Sequence, residues 1–405
     1  MTCARLRLHT PRLSARVEAD TAMSTIARLV ASGTATSRAD LVRSTGLARS
    51  TVSTHLDLLL DSSIIQETES RNGSVQRGRP AQQLALSPTA GVVLVVDMGV
   101  HTARLTVADL SQRVLARDEM RVEVQEAPAT TLTRIGDGLQ RLLTRTRSSR
   151  PDARAVVMSL PAPVDVHLGM AVRPPIMPGW DGFPVADVLS ERFRCRTLVQ
   201  NDVNLMALGE ARALPPEECP LLFIKVGTGI GGGLVSAEGS LHPGANGAAG
   251  DIGHIRVPGA DAVVCACGNI GCIEAVASAE ALLRRLPSPK GGEAVATAYI
   301  ETLLRQGDPT ATRLVKEAAG LLGEVVATLV HFYNPARVVL GGAITSASDH
   351  WLAGVRGVVY QRALPLATRN LTVAHSVLRA RAGTAGGIVI GVEQVLSPET
   401  VRELL

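Results

Sequence analysis

The sequence predicts an α/β protein, built as two α/β subdomains around a cleft, with a small all-α unit ahead of them. Three observations carry this. At 405 residues the chain is too long for one ordinary core. Strand-like runs at Val92–Val96, Leu221–Val226 and Val338–Leu340, apolar but for Lys225, each lead into a glycine-containing turn, as strands buried on both faces do. Segments of helical periodicity alternate with those runs.

Composition narrows the class. Apolar residues make up 46% of the chain but aromatics only 2%, so the core rests on Val, Leu, Ile and Ala. No apolar run is long enough to span a bilayer, and no membrane partner is expected. The basic opening MTCARLRLHTPRLSARVEAD lacks the apolar region of a secretory signal. Three of the six cysteines crowd into residues 265–272, a usage that fits metal binding in a reducing compartment, and a cytoplasmic location is expected. Residues 1–90 hold eleven Arg against seven Asp and Glu, so the whole formal excess of +4 lies there. That asymmetry suits a segment that meets a polyanion.

Residues 1–22 show no period and are expected to form a disordered extension. From Met23, Ile26, Leu29 and Val30 fall at helical spacing and Gly33 ends the run. Ser37 and Asp40 form a capping box that starts a short helix with Leu41 and Val42 inward. Thr45-Gly46-Leu47 makes a tight turn. A second helix follows, with Val52, Leu56, Leu59 and Leu60 on one face. Arg49, Ser50, Thr51, Ser53, Thr54 and His55 are left on or near the other, the residue types that dock phosphates and read a major groove. Ile64–Glu67 reads as a strand, and residues 70–88 as a hairpin wing whose tip presents Arg77 and Arg79 to phosphates or a minor groove. Residues 23–88 are therefore expected to be a winged helix-turn-helix DNA-binding domain.

The composition shifts after Pro88. The strand Val92–Val96 ends at Asp97 and Gly99, and Ala103–Ala108 returns from that turn. Residues 129–147 read as a helix, Ala155–Ser159 as a buried strand, and the prolines from Pro161 to Pro178 as an irregular connection. A helix at Val185–Phe193 and a strand at Thr197–Val199 lead to Asn201 and Asp202, followed by a helix over about 203–212. Leu221–Val226 runs into Gly227-Thr228-Gly229-Ile230-Gly231, a loop bare enough to bring backbone N–H groups close to an anion. Helices near 310–333 and over 381–396 and the strand Val338–Leu340 complete the pattern.

The stretch Gly244–Glu274 carries the densest chemistry. Cys265, Cys267 and Cys272, with His254 upstream, offer three thiolates and an imidazole, a closed Cys₃His set that suits a structural tetrahedral zinc. Asp251, His254 and Glu274 in the same stretch are polar groups able to face a small hydroxylated ligand.

From about Met23 onward the chain resembles the ROK family (repressors, open reading frames and sugar kinases). GAAGDIGHI followed by CACGNIGCIE is similar to the family's GEIGH segment and zinc signature. NDVNLMALGE at 201–210 looks like its sugar-binding strand end, KVGTGIGGG at 225–233 like its second phosphate loop, and VVLGGA at 338–343 like its adenosine segment. A winged helix ahead of these belongs to the repressor branch. The resemblance implies an actin/hexokinase-like fold over 89–405, divided at about residue 200, with a sugar between the subdomains. It implies that Asn201, Asp202, Asp251, His254 and Glu274 bind that sugar, Asp251 standing where the family has Glu. In kinase members the residue matching Asp202 is the catalytic base.

The departures speak to activity. Where kinases carry Asp-x-Gly-Gly-Thr, this chain keeps Asp97 and Gly99 but has Val100 and His101. A branched side chain then stands where ATP phosphates need bare backbone, and the Thr donor is lost. Ile176 stands where the compared kinases have a sugar-contacting Asn. Asp97, Gly99, Gly227, Thr228, Gly229 and Gly231 are thus read as remnants of phosphate loops. The function implied is a sugar-responsive DNA-binding repressor of carbohydrate metabolism genes, without enzymatic activity. Its partners would be operator DNA, a sugar or sugar phosphate effector, and a second copy in a homodimer or homotetramer. The alternative is an ATP-dependent sugar kinase with a DNA-binding appendage.

Overall fold

A computed structural model describes residues 5–11, 13, 18–69, 82–146, 152–288 and 295–405. The N-terminal unit comprises helices α1 (Ala19–Ala31), α2 (Arg38–Thr45) and α3 (Arg49–Asp61), then strands β1 (Ile65–Glu69) and β2 (Gln82–Leu86). The two strands pair antiparallel, Ile65 opposite Leu86. Ser37 caps α2, its side chain accepting from Asp40 N at 3.1 Å. The Asp40 carboxylate reaches back to Thr36 N at 3.1 Å, one residue earlier than a standard capping box. Gly46 ends α2 in the left-handed conformation at φ 70°. Ile26, Leu41, Val52, Leu56 and Leu59 fill the core of this unit, whereas Leu60 is only half-buried.

The extension read at 1–22 is corrected where it is described. α1 begins at Ala19, and residues 5–11 lie along the rest of the protein. Leu6 and Leu8 are buried, and Gln112 clamps Leu6 by accepting from its N and donating to its O, both at 2.9 Å. Between them Arg7 donates to the carbonyls of Ala211 at 2.7 Å and Leu214 at 2.5 Å. Alternating leucines over two to three residues are too short a signal to show as a period.

The first α/β subdomain is a five-stranded sheet in the order β5-β4-β3-β6-β9. Its strands are β3 (Val92–Met98), β4 (Thr102–Asp109), β5 (Val114–Arg121), β6 (Ala153–Leu160) and β9 (Arg196–Asn201). β3 pairs antiparallel with β4 and parallel with β6. Helices α4 (Pro128–Arg145) and α5 (Val185–Phe193) cover one face. The ribbon β7 (Val164–Asp165) and β8 (Met170–Ala171) braces the proline-rich connection.

The helix α6 (Asp202–Ala213) leads to the second sheet, in the order β11-β10-β12-β13. Here β10 is Leu221–Val226, β11 Ile230–Val235, β12 Arg337–Gly341 and β13 Thr372–His375. Around it lie α7 (Ile273–Ala277), α8 (Ala279–Leu283), α9 (Ala296–Arg305), α10 (Pro309–Tyr333), α11 (His350–Arg362) and α12 (Pro365–Thr368). No helix among the described residues is long and apolar enough to cross a membrane.

The chain does not divide cleanly at residue 200. Its last long helix, α13 (Ala382–Val395), returns to pack on β3 and β6 of the first sheet and crosses α6. Glycines make the crossing possible. A Cβ on Gly209 of α6 would collide with Ala382 O, and one on Gly386 of α13 with Leu205 O. A short helix, α14 (Pro398–Leu404), ends the chain against α1.

α1 is bonded directly to the end of α13. Arg28 donates to Glu393 O at 2.7 Å, Leu396 O at 3.2 Å and His9 O at 3.0 Å. The Ser24 hydroxyl also donates to Leu396 O. One continuous cluster of buried apolar side chains runs from α1 and α3 through α13 to β3 and β6.

Candidate sugar cleft, metal centre and nucleic-acid face

Two strand ends open the cleft. β9 stops at Asn201, which caps α6 by accepting from Val203 N at 2.9 Å and Asn204 N at 3.2 Å. Its amide nitrogen donates to Ala162 O at 3.0 Å, so this side chain is engaged in holding the rim. Asp202, buried in the first turn of α6, accepts from Val203 N at 2.9 Å and forms an ion pair with Lys225 Nζ at the end of β10. Burial pulls the Lys225 ammonium down, but Asp202, Asp97 and Glu274 outweigh it and hold the group above its ordinary range. Lys225 lines the cleft and was not singled out as a site residue from the sequence. Its position two residues before Gly227, where the glycine-rich turn begins, is the signal the sequence offers.

Asp97, the penultimate residue of β3, is buried. It accepts from Thr384 Oγ1 at 3.2 Å, and Arg104 Nη1 lies 3.8 Å away. Burial pushes its carboxyl above the usual range, against the pull of Arg104. Gly99 sits in the β3–β4 turn, its N–H donating to Thr102 O at 2.8 Å.

The glycine-rich segment splits in two. Gly227, Thr228 and Gly229 form the β10–β11 turn, where Gly227 N donates to Gly229 O at 2.9 Å. Gly231 instead belongs to β11, paired with Lys225, and a Cβ there would lie 2.8 Å from Val203 Cγ2. Its bareness lets α6 pack on the strand as well as opening the cleft. Gly229 leaves room for Glu274, in the first turn of α7, whose Oε2 accepts from Ile230 N at 2.9 Å. Asn201, Asp202, Asp251, His254 and Glu274 all line this one cleft, together with Val100, Ile176 and Lys225.

His254 belongs to the cleft and to the cysteine cluster. Its Nδ1 lies 3.6 Å from Cys265 Sγ, and its Nε2 lies 3.8 Å from Asp251 Oδ1. Cys267 and Cys272 sulfurs are 3.8 Å apart, and all four donor atoms fall within 4.8 Å of one another. With Zn–S bonds of about 2.3 Å, a tetrahedron has S···S edges of about 3.8 Å, the Cys267–Cys272 separation, and the cluster as a whole is consistent with zinc. Burial, aided by the neighbouring sulfurs, pushes the Cys272 thiol up to about 12. Three thiols packed so closely ionise together only around a cation.

On the N-terminal unit, Arg49, Ser50 and Thr54 are exposed, while Thr51, Ser53 and His55 are half-buried along α3. Thr54 Oγ1 donates to Ser50 O at 3.1 Å. Arg77 and Arg79 lie outside the described residues.

Comparison with known proteins places these features. Residues 93–393 match the model of the ROK family. A glucokinase of Halalkalibacterium halodurans is 30% identical over 306 residues, covering 72% of this chain and 92% of the relative. The xylose repressor of Caldicellulosiruptor bescii is 25% identical over 374 residues, covering 89% of this chain and 92% of the relative. Among solved structures, a ROK family transcriptional regulator described as a homologue of the Escherichia coli MLC protein superposes with a TM-score of 0.78 at 21% identity. That match covers 95% of this chain and 98% of the other, and it extends the shared fold through the N-terminal helices.

Proposed function

The chain belongs to the ROK family, and on that premise we propose that it is a cytoplasmic, sugar-responsive transcriptional repressor of carbohydrate metabolism genes. The observation that carries this reading is the N-terminal unit. A capped helix, a glycine turn, a second helix with Arg49, Ser50 and Thr54 exposed, and a strand pair stand ahead of the cleft. The xylose repressor match covers 89% of the chain, more than the 72% covered by the glucokinase match, which supports a unit shared with the repressors.

In this reading α3 enters the major groove, Arg77 and Arg79 reach the adjoining backbone or minor groove, and a homodimer addresses an inverted repeat. The sugar lies against Asn201, Asp202, Asp251, His254 and Glu274. Zinc, held by His254 Nδ1 and the three cysteines, is structural, because four protein donors leave no open position. It fixes the His254 ring so that Nε2 faces the cleft. Sugar affinity that differs between two positions of the subdomains shifts the balance between them. α13 packs on α6, the helix that carries Asp202, and meets α1 through Glu393 and Leu396, which supports it as the carrier of that shift.

The similarity to a glucokinase keeps a kinase in view as the second reading. Against it stand Val100 and His101 in the first loop, and the Lys225 ammonium on the would-be base. The test is fluorescence anisotropy on the gene's own promoter with and without a panel of sugars, beside a coupled ADP-release assay. A sugar that alters DNA affinity with no ADP above background supports the repressor. Sugar-dependent turnover, or DNA affinity indifferent to every sugar, overturns it.

A further inference from the structure

We infer that the cleft takes its sugar unphosphorylated, and that Lys225 fixes this choice; the inference rests on the sugar-sensing reading above. The charge inventory of the lining is the starting point. Asp202, Asp251 and Glu274 are carboxylates, Asp97 stands close to Asp202, and Lys225 is the single lysine or arginine among the described lining residues. Its ammonium is already joined to Asp202 Oδ2.

Three backbone donors near the cleft are likewise committed. Gly227 N bonds Gly229 O, Gly99 N bonds Thr102 O, and Ile230 N bonds Glu274 Oε2, at 2.8–2.9 Å. A phosphate ester carries a charge of about −1.5 to −2 at neutral pH. To bind here it must either face three carboxylates without a cation, or draw Lys225 away and leave Asp202 buried and unpaired. Both are unfavourable, the second most of all because Asp202 is buried.

An uncharged sugar meets the opposite situation. Carboxylate oxygens only accept, and sugar hydroxyls donate. With one oxygen on Val203 N and the other on Lys225, Asp202 keeps lone pairs for a hydroxyl while its charge stays compensated. Lys225 is thus a positioning residue that acts through Asp202, and it discriminates against esters by being occupied.

The experiment is isothermal titration of the full-length, zinc-loaded protein at pH 7.5. The probes are glucose, mannose and N-acetylglucosamine, each beside its 6-phosphate. At least one free sugar should bind ten-fold or more tighter than its ester. Asp202→Asn, which releases Lys225, should shrink or reverse that ratio, and adding Lys225→Met to it should restore the discrimination. A merely structural Lys225 would not move the ratio. An ester that binds the parent protein more tightly than its free sugar overturns this inference and leaves the sensor reading standing. Binding of no probe overturns both. An unchanged ratio in Asp202→Asn overturns the part assigned to Lys225.

Discussion

The hydroxyl of Thr384, in the first turn of α13, donates to Asp97 Oδ2 at 3.2 Å, directly behind the cleft. At the far end of the same helix Glu393 O accepts from Arg28 of α1 at 2.7 Å. α13 therefore packs on α6, whose first turn carries Asp202 of the proposed sugar site, and bonds to α1 of the proposed DNA-binding unit. Arg28→Ala removes three donations at once. Sugar affinity by titration should stay within about threefold, while the effect of sugar on operator affinity should fall by ten-fold or more, about 1.4 kcal/mol of coupling. An intact response would rule out this route.

The α6–α13 crossing depends on bare backbone. Gly386→Ala sets a methyl group against Leu205 O, and overpacking of this kind costs about 1–3 kcal/mol. Thermal unfolding should register that loss. Gly357→Ala, on α11 with nothing within 4 Å of the added carbon, should leave the midpoint unchanged or slightly raised.

The zinc centre should report through the cleft. Cys267→Ser should lower the zinc content from one per chain toward zero, measured by a colorimetric chelator after denaturation. Sugar binding should fall by at least ten-fold, because His254 loses the fixed ring orientation it shares between the two sites. Normal sugar affinity in a zinc-free variant would separate the two.

Arg49, exposed at the start of α3, should contribute to DNA affinity and not to sugar affinity. Arg49→Ala should cost about 1–3 kcal/mol of operator binding if it reads a base, or reduce the salt slope by about one if it meets a phosphate. An equal loss in sugar binding would contradict the division of labour between the two units.

Hydrogen bonds from Ser37 and Thr36 hold the Asp40 carboxyl below its ordinary value near 3.8. A depressed value in the folded state means stability that is full above the unfolded value and lost as pH falls through the folded one. Ser37→Ala should cost about 1 kcal/mol at pH 7. The gap to the parent protein in chemical denaturation should narrow as pH drops below about 4. A gap that widens in acid would refute the assignment.

How much the sequence disclosed follows from the range of the interactions. The zinc donors span few residues, so spacing alone brought them together, and the capped helices of the N-terminal unit are equally local. Strands buried on both faces, such as β3 and β10, announced themselves as apolar runs. β5 did not, since Val114–Arg121 is an edge strand with an exposed, polar composition. β11 was hidden by Gly231, Gly232 and Gly233, which have no side chains to form a pattern. The Lys225–Asp202 pair joins residues 23 positions apart on different elements, and no periodicity encodes it. The return of α13 to the first sheet is likewise a matter of long-range topology.

Gln112 holds the main chain of Leu6 from both sides, while Val92 N donates to Asp152 O as the chain enters the first sheet. The N-terminal unit is thus moored to the sensor at its front and at its back. A third hold runs along α1, where Arg28 and Ser24 meet the carbonyls at the end of α13 and the two units share one apolar cluster. A body held along a face in this way cannot swing free of the sensor, so a ligand that shifts α13 would change the tilt of each recognition helix in its groove more than the reach between them.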